Sequence, residues 1–215
     1  MKWDIKKICV MGMLSALAYV VMVMGRIPVI MFLSYDPKDV IITIGGFLYG
    51  PLAAFIMTVI VAVIENFTVS DTGPIGLLMN IIAGSAFACT AAFIYSKRRN
   101  IQGAVIGLVS AWIMMTVVMV LWNYLITPIF MDVPRQEVAA MLIPIFVPFN
   151  LIKGGLNAAL TMLLYKPVKT MLEKSNLMPA PETSVKGKFN WGVAFACGFV
   201  ILTCVMWVLV LQGHL

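Results

Sequence analysis

Three polar side chains stand in the segment PFNLIKGGLN, residues 148–157, of a chain that otherwise keeps polar groups out of its apolar stretches. If this segment is helical after Pro148, then Asn150, Lys153 and Asn157 fall at i, i+3 and i+7 and share one face. A lysine at membrane depth is costly unless it meets acceptors or lines a wet cavity. The face is therefore predicted to form one wall of a small-molecule site.

The side chains available to this site favour one kind of ligand. Amides donate and accept hydrogen bonds, whereas a lysine ammonium only donates. Tyr35, Tyr124 and Phe149 offer apolar walls for a flat ring. We expect a neutral, partly aromatic molecule with carbonyls or hydroxyls, because a multiply charged anion would need more than one cation.

Sequence patterns typical of catalysis are missing. His214 is the single histidine, the acidic residues are scattered over loops and a helix end, and neither HExxH nor the phosphate loop GxxxxGK[ST] occurs. The four cysteines stand in apolar stretches without a CxxC pair, which favours buried apolar roles over a metal site or a disulfide. We therefore expect no enzyme, no metal and no resident cofactor.

Composition indicates a membrane protein. Hydrophobic residues make up 62% of the 215 residues, charged residues only 11%, and the mean hydropathy is +1.01. Soluble domains carry about a quarter charged residues, and the apolar runs here are long rather than alternating. These features predict an all-α integral membrane protein. The formal charge of +6 comes mainly from Lys and Arg at the ends of apolar runs, which indicates topology in a lipid bilayer and no nucleic-acid binding.

Seven apolar segments are predicted, of which the second is too short to span a bilayer unaided. Residues 141–146 are predicted to form a separate interfacial piece, and Asp39 is predicted to cap the second helix after a turn at Asp36 and Pro37. We assign residues 1–170 to a six-helix membrane domain, 171–190 to a cytoplasmic linker and 191–215 to an extra C-terminal transmembrane helix. The seven segments cover residues 8–24, 40–49, 52–64, 75–95, 104–125, 148–165 and 191–211.

Orientation follows from the basic residues. Most of them fall on one side if the segments alternate, and the positive-inside rule makes that side, with the N-terminus, cytoplasmic. The stretch around Tyr35, Asn123 and the start of segment 148–157 then face outward, so the predicted site occupies the outer half of the bilayer. Asn80 falls near the same level, where an isolated asparagine can equally make an interhelical hydrogen bond.

The first segment carries a patch of small residues. Gly12 and Ala16 are four residues apart, with Ser15 and Ala18 nearby, and small residues let another helix approach closely. The spacing alone leaves packing within this protein and docking of a partner equally open.

Four stretches together resemble a known family, the riboflavin-specific S-component of energy-coupling factor (ECF) vitamin transporters. They are LSYDPKDV at 33–40, GPIGLLMN at 73–80, WNYLITPIFM at 122–131 and PFNLIKGGLNAAL at 148–160, and the resemblance covers residues 5–170. It implies a six-helix fold in the cell membrane that binds riboflavin, as a transported ligand, near the outer face under a loop. It also implies a transmembrane coupling subunit and two ATPase subunits as separate partners.

The resemblance also bears on particular residues. Asn123 and Lys153 look like the family's polar flavin contacts, the Tyr35 loop like its lid, and Gly12 and Ala16 like its docking surface for the coupling subunit. Segment 191–211 is additional to the family's core, and it is either a lipid-facing appendage or a cover over a surface needed for coupling. Asn80, Asn150 and Asn157 are added from helix geometry and not from the resemblance. The predicted substrate-binding set is then Tyr35, Asp39, Asn80, Asn123, Asn150, Lys153 and Asn157.

Two other functions stay open from the sequence. A stand-alone secondary transporter of a vitamin or similar solute usually has carboxylates inside membrane helices and two similar halves, and neither feature is evident here. A membrane scaffold without a ligand would leave the amides of the outer half unexplained.

Overall fold

The computed structural model describes residues 4–70, 72–174 and 191–211, which form a helical bundle with one small β-hairpin. A π-helical turn, Leu142–Phe146, joins two of the helices without a break. In chain order the elements are α1 Ile5–Gly25, β1 Ile27–Ile30, β2 Leu33–Tyr35, α2 Lys38–Tyr49, α3 Pro51–Thr68, α4 Gly73–Lys97, α5 Ile101–Met131, α6 Arg135–Met141, α7 Val147–Lys174 and α8 Trp191–Leu211.

In the described part of the chain, five helical stretches are long and apolar enough to cross a membrane: α1, α3, α4, α5 and the continuous stretch Arg135–Val168. By contrast, α2 has 12 residues and reaches about 18 Å, well short of a bilayer core of about 30 Å. If α6, the π turn and α7 are counted as one rod, α1 to α7 form six helices and α8 is the seventh. The predicted class, an all-α integral membrane protein with a six-helix bundle and an extra C-terminal helix, is confirmed.

The short helix α2 lies at the centre of the bundle and packs on α1, α3, α4 and α7. A side chain at Gly46 of α2 would place its Cβ 2.9 Å from the Cβ atoms of both Ala54 in α3 and Ala92 in α4. Glycine therefore allows these three helices to approach closely at this position. This packing buries Lys38 and Asp39, the first two residues of α2.

The hairpin departs from the predicted helix-and-loop organisation. β1 and β2 pair antiparallel, with Ile27 opposite Tyr35 and Pro28 opposite Ser34, and Met31 in the turn has a φ of 51°. Strands of four and three residues are too short to give a period-two signal in the sequence, so this stretch was expected to be only a loop. The Nη1 of Arg26 donates to the carbonyl of Val69 over 3.2 Å, which ties the start of the hairpin to the end of α3.

Three predictions about helix ends are corrected. Residues 141–146 are not a separate piece, because the chain passes from α6 through the π turn into α7. Pro144 in this stretch has no backbone N–H to donate, and it alters the hydrogen-bond ladder without ending the helix. Pro37, and not Asp39, holds the N-cap position of α2. The helix α7 continues to Lys174, past the predicted helix end at 165, whereas 175–190, most of the predicted linker, lies outside the described residues.

Candidate functional site

A cavity that opens to solvent is bordered by the hairpin, α3, α4 and α7, and its empty space is about 450 Å³ with the open mouth included. A second, more apolar cavity, with about 250 Å³ of empty space including its opening, adjoins it, and the two share Phe32, Thr72, Gly76 and Met79. The lining of the larger cavity combines charged, hydroxyl, amide and aromatic groups. Its residues are Arg26, Phe32, Ser34, Asp36, Glu65, Ser70, Thr72, Gly76, Met79, Asn80, Phe149 and Lys153.

Two buried lysines contact the acidic residues of this cavity, and Lys38 lies behind its lining, next to Asp36 and Glu65. Its Nζ forms an ion pair and a hydrogen bond with the Oε2 of Glu65 in α3, and it lies 3.5 Å from the Oδ1 of Asp36. All three side chains are almost completely buried. Burial of a charge is tolerated only where a partner compensates it, and here Lys38 has two partners.

Lys153, on α7, is the second buried lysine. Its Nζ lies 3.6 Å from the Oδ2 of Asp36 and 4.0 Å from the Oδ2 of Asp39. Asp36 therefore stands between the two lysines, one on each oxygen. A chain of alternating charges results, and it joins α3, α2, the residue after the hairpin and α7.

The ionisation of two residues at the end of the hairpin responds to this cluster. Burial opposes the charge on Asp36, but the ammonium groups of Lys153 and Lys38 outweigh it and hold the pKa of this carboxyl below its usual value. Burial, with the nearby charges of Asp36 and Asp39, raises the pKa of the Tyr35 hydroxyl far above its usual value. Tyr35 is therefore a neutral hydrogen-bond donor at physiological pH.

Asn157 links the hairpin to the charge cluster. The hydroxyl of Tyr35 donates to Asn157 Oδ1 over 3.2 Å, and Asn157 Nδ2 donates to Asp39 Oδ2 over 3.3 Å. The amide thus uses its acceptor and one of its two N–H donors inside the protein. It positions Tyr35 and Asp39.

The other predicted asparagines occupy three different settings. Asn80 lines the larger cavity. Asn123 is fully buried, donates to the carbonyl of Met119 over 2.7 Å and accepts from Thr127, whose side chain lines the apolar cavity. Asn150 donates to the carbonyl of Phe146 over 2.7 Å, in the π turn. The structure thus brings Tyr35, Asp39, Asn80, Lys153 and Asn157 together, and leaves Asn123 and Asn150 bonded within their own helices.

Sequence reasoning missed Asp36, Lys38 and Glu65 as site residues. It assigned Asp36 to a turn, Lys38 to an outer loop and Glu65 to a helix end. The structure shows that they converge on one buried cluster. For the two acidic residues, a signal was available in the sequence. The chain has only nine Asp and Glu residues, and Asp36 and Glu65 stand beside or within apolar segments.

The small-residue patch of α1 divides between two faces. Ser15 and Ala18 are buried inside the bundle, whereas Gly12 and Ala16 are exposed, and a Cβ built at Gly12 meets nothing within 4 Å. Ser15 and Ala18 therefore serve packing within this protein. Docking of a partner on Gly12 and Ala16 stays a prediction.

The described residues include no group of three or more His, Cys, Asp or Glu side chains placed to hold a metal ion. The larger cavity offers hydrogen-bond donors and acceptors beside aromatic walls, which suits recognition of a small molecule. The fold defines a multi-pass membrane protein, with a buried charge cluster beside a polar cavity.

The chain belongs to the family of substrate-specific components of ECF transporters, whose family model matches residues 6–165. It is 30% identical to "Riboflavin transporter RibU" of Staphylococcus aureus over 177 residues, which cover 79% of this chain and 93% of the relative. It is also 30% identical to "Riboflavin transporter FmnP" of Bacillus subtilis over 183 residues, 79% of this chain and 95% of the relative. A solved structure described as the S component of a bacterial ECF transporter superposes with a TM-score of 0.67 at 29% identity, covering 78% of this chain and 98% of that one.

Proposed function

We propose that this chain is the riboflavin-binding subunit of an ECF-type vitamin importer in the cell membrane. The observation that carries the proposal is the larger cavity, where Lys153 and Asn80 border a space walled by Phe149 and Phe32. Such a site offers polar partners to carbonyls and hydroxyls and an apolar surface to a flat ring. The relatives named as riboflavin transporters support the same ligand.

The charges of the site favour the neutral vitamin over its phosphate ester. Among the described groups, the cations Arg26, Lys38 and Lys153 are matched in number by the carboxylates of Asp36, Asp39 and Glu65. A phosphate monoester brings about 1.5 to 2 negative charges at pH 7. Both lysines are already paired, so a phosphate would have to displace a carboxylate from one of them.

Energy for uptake comes, in this proposal, from a transmembrane coupling subunit and two ATPase subunits. Riboflavin binds from the outer face, the N-terminus is cytoplasmic, and the exposed face of α1 at Gly12 and Ala16 docks on the coupling subunit in the bilayer. Small residues suit this role because they let a partner helix approach closely. Docking then reorients the protein and exposes the site to the cytoplasm.

Flavin fluorescence provides the direct test. The protein is purified in detergent, checked for the yellow colour of co-purified flavin, freed of it and titrated with riboflavin. We expect saturable quenching at about one flavin per chain, since the larger cavity is a single site. A folded, flavin-free sample that leaves riboflavin fluorescence unchanged would withdraw the ligand assignment and leave the family membership intact.

A stand-alone secondary transporter is the second candidate, and one structural observation favours it. Asp39 and Glu65 are buried carboxylates within helices, a feature that the sequence did not reveal. Both are engaged by lysines, however, which favours a fixed structural charge. Proton-driven riboflavin uptake by this chain alone in sealed vesicles would establish this candidate, and uptake only with the coupling and ATPase subunits would reject it.

A further inference from the structure

Helix α8 lies outside residues 6–165, the part of the chain that the family model matches. It packs along α7 and also touches β1 of the hairpin. At Gly155 of α7, a Cβ would lie 3.5 Å from Cys204 Sγ and 3.7 Å from Val200 Cγ1. The two helices therefore meet closely at this glycine, next to the helical turn that carries Lys153.

One face of α8 is part of the apolar cluster that holds the hairpin. Cys204 is buried in this cluster, and the residues Val200, Ile201 and Val208 pack against it. The opposite face is exposed, with Phe199 64% and Leu202 61% accessible. We name the following buried residues the hairpin cluster: Val29, Leu33 and Tyr35 of the hairpin, Val138, Phe146, Phe149, Ile152 and Leu156 of the α6 to α7 rod, and Cys204.

The hairpin that α8 contacts is also a wall of the ligand cavity. Phe32, in the turn between the strands, and Ser34, in β2, line the larger cavity. Movement of the hairpin away from α7 would open this wall. It would also separate β1 from α8, which contact each other in the closed arrangement seen here.

We propose that α8 is a strap that holds the hairpin over the cavity, with Val200, Cys204 and Val208 as positioning residues. The inference rests on the proposed function, because it concerns how riboflavin enters and leaves. The contacts of α8 join protein to protein and none of them requires the ligand. They oppose opening of the hairpin with or without riboflavin, so α8 slows entry and release alike and leaves the ratio of the two rates nearly constant.

This role differs from both alternatives that the sequence left open for segment 191–211. The helix is more than an appendage in lipid, because one of its faces belongs to the hairpin cluster. It also leaves the exposed face at Gly12 uncovered, since a Cβ there meets nothing within 4 Å in the described part of the chain.

The test measures association and dissociation rates of riboflavin by stopped-flow fluorescence on the full-length protein. Cys204→Trp inserts a wedge between α8 and the hairpin cluster, and its matched control, Leu202→Trp, adds the same side chain on the exposed face. We expect the wedge to raise both rates on the order of tenfold. This change corresponds to the loss of about two buried methylene groups from the contact between α8 and the hairpin cluster. The dissociation constant should change less than about threefold, and the control should keep both wild-type rates.

Two milder double variants provide the same test if Cys204→Trp does not fold. Val200→Ala combined with Val208→Ala trims the buried face of α8, and Val205→Ala combined with Val210→Ala trims the exposed face by the same number of atoms. We expect both rates to rise only in the first double variant. This readout separates a strap from general stabilisation of the fold, because a distorted pocket would lower affinity without faster association.

Three results would overturn the inference. Wild-type rates in both the wedge and the buried-face double variant would show that α8 does not restrain the hairpin. Weaker binding with slower association would show that α8 shapes the pocket instead. Absence of riboflavin binding by the wild-type protein would remove the proposed function together with the inference, whereas normal binding with unchanged rates removes the inference alone.

Discussion

The ammonium of Lys153 lies 3.6 Å from the Oδ2 of Asp36, so a lysine of α7 is paired with the residue that directly follows the hairpin. The other oxygen of Asp36 lies 3.5 Å from Lys38, at the start of α2. One carboxylate therefore connects the hairpin with two helices. Because the groups are buried, loss of one partner is expected to cost far more than the net worth of the pair.

Replacement of Lys153 by Met should weaken riboflavin binding by about 1.5 to 3 kcal/mol, the usual contribution of a hydrogen bond from a charged donor. Titration by fluorescence quenching measures the change. Lys97→Met is the matched control, because Lys97 is exposed at the C-terminal end of α4, away from the cavity. Unchanged affinity in Lys153→Met would remove this lysine from the ligand contacts.

The same substitution leaves Asp36 and Asp39 without one of their cations, so lower affinity has to be separated from lower stability. Asp36→Asn combined with Lys153→Met removes both members of one pair. We expect this double variant to melt at a higher temperature than Lys153→Met alone, because fewer buried charges lack a partner.

Discrimination between riboflavin and its 5′-phosphate should depend on Asp36. The wild-type protein is expected to bind riboflavin more than about tenfold more tightly than the phosphate, because both lysines already have carboxylate partners. Asp36→Asn removes a carboxylate partner from Lys38 and Lys153 and should therefore lower the ratio of the affinity for riboflavin to the affinity for its phosphate. Asp132→Asn, an equal charge change at an exposed site after α5, should leave the ratio as it is. Equal wild-type affinities for the two ligands would contradict the charge argument.

The stabilisation provided by Asp36 should persist to low pH. The folded state holds the pKa of its carboxyl below the ordinary value of 3.8, so the stabilisation is complete above that value and is lost as the pH falls through the lowered pKa. The difference in melting temperature between wild type and Asp36→Asn should be constant from pH 7 to about pH 5 and shrink below about pH 4. A difference that already disappears between pH 7 and pH 5 would rule out the ion pairs as its source.

Tyr35→Phe removes the hydroxyl that donates to Asn157 over 3.2 Å. The buried Oδ1 of Asn157 then lacks this donor, and we expect a loss of about 1 to 3 kcal/mol in the free energy of unfolding. Tyr19→Phe is the control, because its hydroxyl bonds to Thr68 at an exposed position, where water can replace it. Thermal melting measures the loss of stability in each variant. Equal losses would show that the buried Tyr35 hydrogen bond contributes no more to stability than the exposed one of Tyr19.

Bulky residues on the exposed face of α1 should separate uptake from binding. Gly12→Trp and Ala16→Trp are expected to abolish riboflavin uptake by cells that contain the whole transporter, while quenching titrations of the purified subunit stay normal. Leu17→Trp, at a residue that is already large and 44% exposed, tests whether any added bulk on α1 has this effect. Loss of riboflavin binding in the two small-residue variants would place the patch in the structural core instead.

The sequence predicted most of the helices and the outline of the site. The polar residues of segment 148–157 were recognised because lysine and asparagine are costly inside an apolar run, and the structure places Lys153 and Asn157 in the buried cluster. Asn123 and Asn150 carried the same signal but use their amide donors on carbonyls of their own helices. Periodicity indicates which face a side chain occupies, and it does not indicate which of several nearby acceptors it meets.

Membrane-spanning helices could be predicted from the sequence by itself because their cause is local: an uninterrupted apolar run of sufficient length must satisfy its backbone hydrogen bonds within the bilayer. The predicted segment 191–211 is likewise helical, over Trp191–Leu211. Only the tertiary structure decided that Lys38 pairs with Glu65, that Asn157 joins Tyr35 to Asp39, and that α8 packs against the hairpin. These contacts join residues far apart in the chain, and their geometry depends on how closely the helices pack at positions such as Gly46 and Gly155.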